Sequence, residues 1–465
     1  MKRVSRMFGI CLSAVLLGSM ATACSETKEG ANSASTGSNG SAYDLEGKTI
    51  TISALAGEPA AGLKTQVEGF KEKYGATMEV IEIPTSMFND KLRVDLTSKS
   101  GAYDACLGVP DGWNQHMKAS GYLEPLDQWY NDPNVADPNF DMKDFFESNL
   151  DYYSEDGVVY GMPWKPDVML YYYRSDLFND ENEKAAFKEK YGYDLAVPTT
   201  YEQYLDIGDF FNRPDEGLYG SAMMGANADQ LGNLFMNRLY STDQASYFTE
   251  DWKAQMNTPD VIKVFENLQY EGQNFAMPGY ETMTYEQNSA AFIEGKVAQT
   301  ISWPALWNDS NKLDVSAYGA SQVKGKVGVA VLPGWEDSDR GGYTMMGGWW
   351  ACIPTDSKQK VEAYKMIEYI CSKEGMIPKI DAGSYSVRKS TYEDEKVVGK
   401  DPEFYEIYGK QLDKQQAPPQ LPEWGEFKTV LQEQINACIT GMVDPEEAAN
   451  NVQDKWTTLL EENGY

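Results

Sequence analysis

The 465-residue chain holds one histidine, His116, so any histidine-dependent nucleophilic triad would have to run through that residue. No G-x-S-x-G turn accompanies it, and neither an H-E-x-x-H pair nor a Cys/His zinc spacing occurs. His116 therefore reads as a helix-surface residue. Asp337-Ser338-Asp339-Arg340-Gly341 opens like a calcium loop, but Gly341 stands where a third oxygen ligand belongs and Gly348 where the closing Glu belongs. A turn is expected there, and no metal site. What the chain does hold in quantity is 71 Asp and Glu, 11 Trp and 30 Tyr. Two carboxylates about 5–10 Å apart would serve a secreted glycosidase, yet no local motif nominates a pair. Carboxylates beside aromatic faces equally suit a binding cleft, for a carbohydrate or for a cation such as a polyamine.

Such groups need a frame. Lys48–Ala56 alternates like a strand and runs into Gly57-Glu58-Pro59; residues 61–74 carry Leu63, Val67 and Phe70 at helical spacing. Gly75 ends that helix, 77–83 is a second strand, 86–99 a second helix, and 105–109 a third strand. This alternation predicts a parallel α/β sheet, in which ligands bind outside the carboxyl ends of the strands. That rule directs attention to Glu58 and to the Pro110-Asp111-Gly112-Trp113 turn. Asp156-Gly157 marks a hairpin turn, and 168–174 a strand. Residues 199–285 are mostly helical, with Thr199 or Thr200 as an N-cap. Further strands are expected at 296–302, 328–332 and 349–353, then an amphipathic helix over 358–371. Helical pattern from 422 to 460 breaks at Gly441 and Pro445.

The amino terminus bears on location. Lys2, Arg3 and Arg6 precede the apolar run 7–20 and the small residues Ala21-Thr22-Ala23-Cys24, the pattern of a secretory leader. Cys24 resembles the lipidated cysteine of a bacterial lipoprotein box, with Ala21 where such boxes usually carry Leu. Residues 25–41 have no apolar side chain larger than Ala and cannot bury enough surface to order themselves. A coil of about 20 such residues spans roughly 25 Å, a leash for a body held outside the cell membrane. The net charge is −31, and loss of the leader makes it more negative, which excludes phosphate backbones as partners. Cys106, Cys352, Cys371 and Cys438 form no C-x-x-C pair. Buried thiols are the default, with one or two disulfides also open because export favours them.

Several phrases share one likeness. Asp156-Gly-Val-Val-Tyr-Gly-Met-Pro163 with Tyr171–Phe178, Phe292–Ala298, Gly347-Gly348-Trp349, and Ser357–Ile370 resemble, in order, phrases of the family 1 extracellular solute-binding proteins of ABC importers. That resemblance implies a type II periplasmic-binding-protein fold: two discontinuous α/β lobes around a central cleft. The lobes would comprise 45–168 plus 332–385, and 169–331 plus 386–465, after a leader (1–23) and a lipidated linker (24–44). It further implies capture without catalysis or cofactor. The ligand would be a sugar or oligosaccharide, the partner a membrane permease, and the body a lipid-anchored monomer on the extracytoplasmic side.

A sugar offers hydroxyls to carboxylates, amides and Arg, and C–H faces to Trp or Tyr. The resemblance puts Asp111 first for the hydroxyl edge and makes Asp104 a structural cap. For the face it offers Trp303 and Trp307, just past a strand, and which of them points inward stays open. Trp349 follows two glycines that would let a ligand approach, while Trp350 alternates into the core. Trp164, Trp113, Glu58, Arg388 and Trp424 complete the candidates, taken from loops and the lobe junction.

Overall fold

The computed structural model describes residues 45–84, 87–108, 117–227, 229–314, 316 and 318–465. The expected leader, Cys24 with its linker, Asp111, Trp113 and His116 lie outside the described residues. The chain opens with β1 (Thr49–Leu55), α1 (Glu58–Thr65), α2 (Val67–Tyr74), β2 (Thr77–Ile83), α3 (Phe88–Ser98) and β3 (Ala105–Gly108). The single helix expected over 61–74 is two, parted at Gln66. That buried residue donates from Nε2 to the carbonyls of Ile370 (2.8 Å) and Gly375 (2.7 Å). Asp104 pins the edge of β1, accepting from the Thr51 amide at 2.9 Å and its hydroxyl at 3.0 Å.

After a small hairpin at Asp156-Gly157, both with positive φ, come β4 (Gly161–Asp167) and β5 (Leu170–Arg174). Then follow α4 (Tyr201–Phe211), β6 (Tyr219–Ser221), α5 (Asp229–Tyr240), α6 (Pro259–Asn274), α7 (Tyr285–Ile293), β7 (Val297–Ser302) and β8 (Val327–Ala330). Thr200 caps α4 by accepting from the Gln203 amide. The chain continues through β9 (Gly347–Cys352), α8 (Lys360–Ile370), α9 (Lys373–Asp381), α10 (Pro402–Leu412), α11 (Trp424–Ile439) and α12 (Pro445–Asn463).

Among the described residues the two larger sheets are ordered β2-β1-β3-β9-β4 and β8-β5-β7-β6, beside two small two-stranded pairings. The expected parallel arrangement holds for β1, β2 and β3, which are joined by helical crossovers, and for β6 beside β7. β9 runs antiparallel to β3 and β4, and β5 antiparallel to β7 and β8. The physical reason is the connectivity. β4 and β5 are separated only by Val168 and Met169, both fully buried, so the chain passes from one sheet to the next without a crossover helix. It returns between β8 and β9. α11 and α12 pack with α5 and α6 around Trp424 and Trp456 beside the second sheet. α10 sits at the junction: the Tyr408 hydroxyl donates to Pro166 O at 2.9 Å, and Gln411 Oε1 accepts from the Leu332 amide at 2.7 Å. Among the described residues, no helix is long and apolar enough to cross a membrane.

Candidate functional site

The ends of β4 and β9 set the geometry. Gly347 lies opposite Asp167, Gly348 opposite Pro166, and Trp349 opposite Lys165; then the register slips, so that Trp350 faces Pro163. The bulge leaves Trp164 without an opposite number, and beyond it Lys165 and Asp167, two apart in regular register, share one face. The residue at 348 must be glycine, because its φ is +118° and a Cβ would lie 2.3 Å from Lys165 O. At Gly347 a Cβ would meet the Trp303 ring at 2.9 Å, so the indole from the end of β7 lies directly over this backbone. Here the two sheets meet.

A cavity of about 430 Å³ opens at this meeting point. From the first sheet and its helices it receives Glu58, Phe88, Asn89, Lys165, Asp167 and Trp349; from the second it receives Gln230, Asn233, Tyr285 and Trp303, with Lys428 of α11 also on its wall. Lys165 holds the polar side together. Its Nζ lies 2.9 Å from Glu58 Oε2 and 3.0 Å from Asp167 Oδ2, and its side chain is 7% exposed. Burial alone would lift the Glu58 carboxyl, but the Lys165 charge and hydrogen bond hold it below its usual value. Asp167 goes the other way: burial raises it, Lys165 opposes, and neighbouring Glu58 adds to the rise. The Lys165 amine, which burial would lower, is driven upward by the two carboxylates and stays charged.

The apolar side is the two indoles of Trp303 and Trp349. Trp349 meets the Phe88 ring edge-on at 5.8 Å. Trp303 is oriented from both ends: its Nε1–H donates to Gln230 Oε1 at 2.7 Å, and its carbonyl accepts from the Tyr172 hydroxyl at 3.2 Å. Gln230 and Asn233, one helical turn apart, come from α5, which is tied down behind the pocket. Buried Arg238 donates to Asn267 Oδ1 (2.7 Å) and Glu271 Oε2 (2.6 Å) of α6, while Asn237 Oδ1 accepts from the Met345 amide at 2.7 Å. Donors, acceptors and flat apolar faces thus converge on one cavity. Among the described residues, no group of three His, Cys, Asp or Glu is close enough to hold a metal.

Of the candidates read from sequence, Glu58, Trp303 and Trp349 line this cavity. Four others lie elsewhere, each with a structural partner. Trp164 is fully buried behind the site, its Nε1–H donating to Gln66 Oε1 at 2.9 Å and its ring covered by the Lys379 amine at 4.0 Å. Trp307 stacks on Phe404 at 5.5 Å and donates to Asp401 Oδ2 at 2.5 Å. Arg388 lies between the rings of Phe140 and Phe145 and donates to Cys371 O at 2.7 Å. Trp424 packs between Tyr247 and Trp456 in the core of the second sheet's helices. Lys165, Asp167, Gln230, Asn233 and Tyr285 were not singled out from sequence. The signal for the first two was the strand period at Lys165 and Asp167; for the next two it was the i, i+3 spacing of Gln230 and Asn233.

A family model described as bacterial extracellular solute-binding protein matches residues 55–377. The chain belongs to that family. Its place of action is accordingly outside the cytoplasm, and the family's role is transport binding. A mannitol-binding protein of Pseudomonas aeruginosa is 22% identical over 319 residues, 67% of this chain and 66% of its own length, so that match spans just under two thirds of the relative. An erythritol/L-threitol-binding protein of Mycolicibacterium smegmatis is 22% identical over 75% of this chain and 72% of its own. The structure of a solute-binding protein from Agrobacterium radiobacter K84 in complex with ribitol superposes with a TM-score of 0.74 at 23% identity, covering 90% of this chain and all of that one. Maltose-bound MalE3 of T. maritima gives 0.72 at 23% identity, covering 89% of this chain and all of that one. This solute-binding protein therefore has the type II two-lobe fold.

Proposed function

We propose that this protein captures a sugar or polyol in the cleft between its lobes and hands it, chemically unchanged, to an ABC permease. The observation that carries the reading is the cavity itself. Lys165, Glu58 and Asp167 on one side and Gln230 and Asn233 on the other supply directional partners for hydroxyls, and Trp303 and Trp349 supply flat faces for C–H bonds. Relatives and fold neighbours named for mannitol, erythritol or threitol, ribitol and maltose support the same ligand class. The lobes would be about 45–168 plus 332–385 and 169–331 plus 386–465, with the Arg388 segment packed back on the first. A ligand touching both gains contacts in a closed form that an open form lacks, so binding shifts the population toward closure. Cleavage before Cys24 and lipidation of that residue would hold the monomeric body near its permease.

A thermal-shift screen tests the ligand class. It should hold pentitols, hexitols, mono- and disaccharides, with spermidine as the cationic control. Ligand at a hundred times its Kd adds about 2.7 kcal/mol of stability, enough to read as a rise in Tm. A rise with one hydroxylated compound and none with spermidine is expected. A rise with spermidine alone, or release of reducing sugar on incubation with a glycan, would overturn the reading.

A further inference from the structure

We infer that Cys106 and Cys352 form a cross-strand dithiol that closes into a disulfide when the chain matures outside the cytoplasm, stapling β9 to β3. The two residues are directly opposed in the antiparallel pairing of β3 with β9. Opposed residues in such a ladder have Cα atoms about 4.5 or 5.5 Å apart, according to the type of pair. Both values fall within the roughly 4.4–6.8 Å that a disulfide spans. Their side chains leave the same face of the sheet, with Cβ atoms about 4.5–5.5 Å apart, so closure to the disulfide's 3.5–4.5 Å needs an approach of an ångström or less.

Contacts in the structure agree with this placement. The Cys352 Sγ lies 3.5 Å from Cys106 O, and the thiol is pushed well above its usual pKa, first by its neighbour Cys106 and then by burial. Both side chains are buried, at 1% and 3% exposure. The other two cysteines of the described residues are apart from each other: Cys371 follows α8 in the first core, and Cys438 sits on α11 in the second. A buried dithiol is inert once folded, so the bond forms while the ladder is still opening and closing.

The reaction is thiol–disulfide exchange with an external disulfide, either a small molecule or an oxidoreductase. One protein thiolate attacks the external disulfide, forming a mixed disulfide and releasing one thiolate. The second protein thiolate then attacks the protein sulfur of that intermediate, forming the Cys106–Cys352 bond and releasing the other thiolate. Two protein thiols are oxidised and one disulfide is reduced to two thiols. The bond joins residues 246 positions apart, so it restricts the unfolded chain strongly. It also anchors the strand that begins with Gly347, Gly348 and Trp349 at the pocket.

The test is oxidative refolding of the full chain. Reduced, denatured protein is refolded in a glutathione buffer or in dithiothreitol, alkylated, and mapped by peptide mass spectrometry without reduction. The expected result is one cross-linked species joining the Cys106 and Cys352 peptides, two hydrogens lighter than their sum, with Cys371 and Cys438 alkylated. The oxidised protein should also unfold at a higher denaturant midpoint, and a C352S variant should lose that difference between buffers. Full alkylation of Cys106 and Cys352 after glutathione refolding, or either residue joined to a different cysteine, overturns the inference. Mapping of the unmodified chain decides this whether or not C352S folds.

Discussion

Replacing Lys165 with Met keeps the stem and volume of the side chain and removes only its charge. The amine is 7% exposed and serves two carboxylates, Glu58 at 44% exposure and Asp167 at 15%. Taking one partner from a buried pair costs about 3–5 kcal/mol, because the other charge is left desolvated. The Glu58 share must be discounted, since a carboxylate that exposed is rescued by water. We therefore expect K165M to lose about 3 kcal/mol at pH 7, nearly all of it through Asp167. The loss should depend on pH with a definite sign. Asp167 already has a folded-state pKa above its unfolded value, and without Lys165 it rises further. The folded variant then binds a proton that the unfolded chain does not, so its stability falls as pH climbs through the folded pKa and recovers on acidification. Thermal unfolding at pH 5 and pH 7, for wild type, K165M, D167N and the double variant, measures both the loss and the coupling. A K165M protein within 1 kcal/mol of wild type, or a loss equal at both pH values, would refute a Lys165–Asp167 pair that needs this charge.

Gly347→Ala places a methyl group 2.9 Å from the Trp303 ring, an overpacking cost of about 1–3 kcal/mol unless the indole moves. A changed Trp fluorescence maximum and weaker ligand binding are expected; an unchanged spectrum with unchanged affinity would contradict the contact. Lys379 is buried with its amine pulled down to about 7, burial outweighing the attraction of Glu58. Its folded pKa lies below the unfolded value near 10.4, so the unfolded chain holds more protons between those values and stability rises with pH across that window. The K379M variant should flatten that rise and be the more stable protein at pH 6, as scanning calorimetry from pH 6 to 9.5 would record.

The frame of the fold was legible because its determinants are local. Alternation in β1 and β2, Gly75 at the end of α2, and the Gly441 and Pro445 break between α11 and α12 are signals within a few residues. The antiparallel joins of β9 were not legible, since the short step through Val168 and Met169 sends the chain to another sheet and pairing partners lie far away in sequence. For the site, position after a strand singled out Glu58 and Trp303, and the two preceding glycines singled out Trp349. Trp307 shares the same local setting, and only the distant Asp401 and Phe404 draw it away from the pocket. Lys165 and Asp167 share a face by the strand period, but that period alone does not mark a site. Their opposite signs two residues apart read as ordinary strand-end polarity until Glu58 is brought alongside.

The claim that matters most is that a hydroxylated ligand sits against Trp303 between the lobes. Calorimetric titration of the compound chosen by the thermal-shift screen, into wild type and W303A, tests it most directly. Truncating a central aromatic contact typically costs 1.4 kcal/mol or more, which is about tenfold or more in Kd. One saturable site in wild type, weakened at least tenfold in a folded W303A, is the expected result. Equal affinity in the two proteins would contradict it.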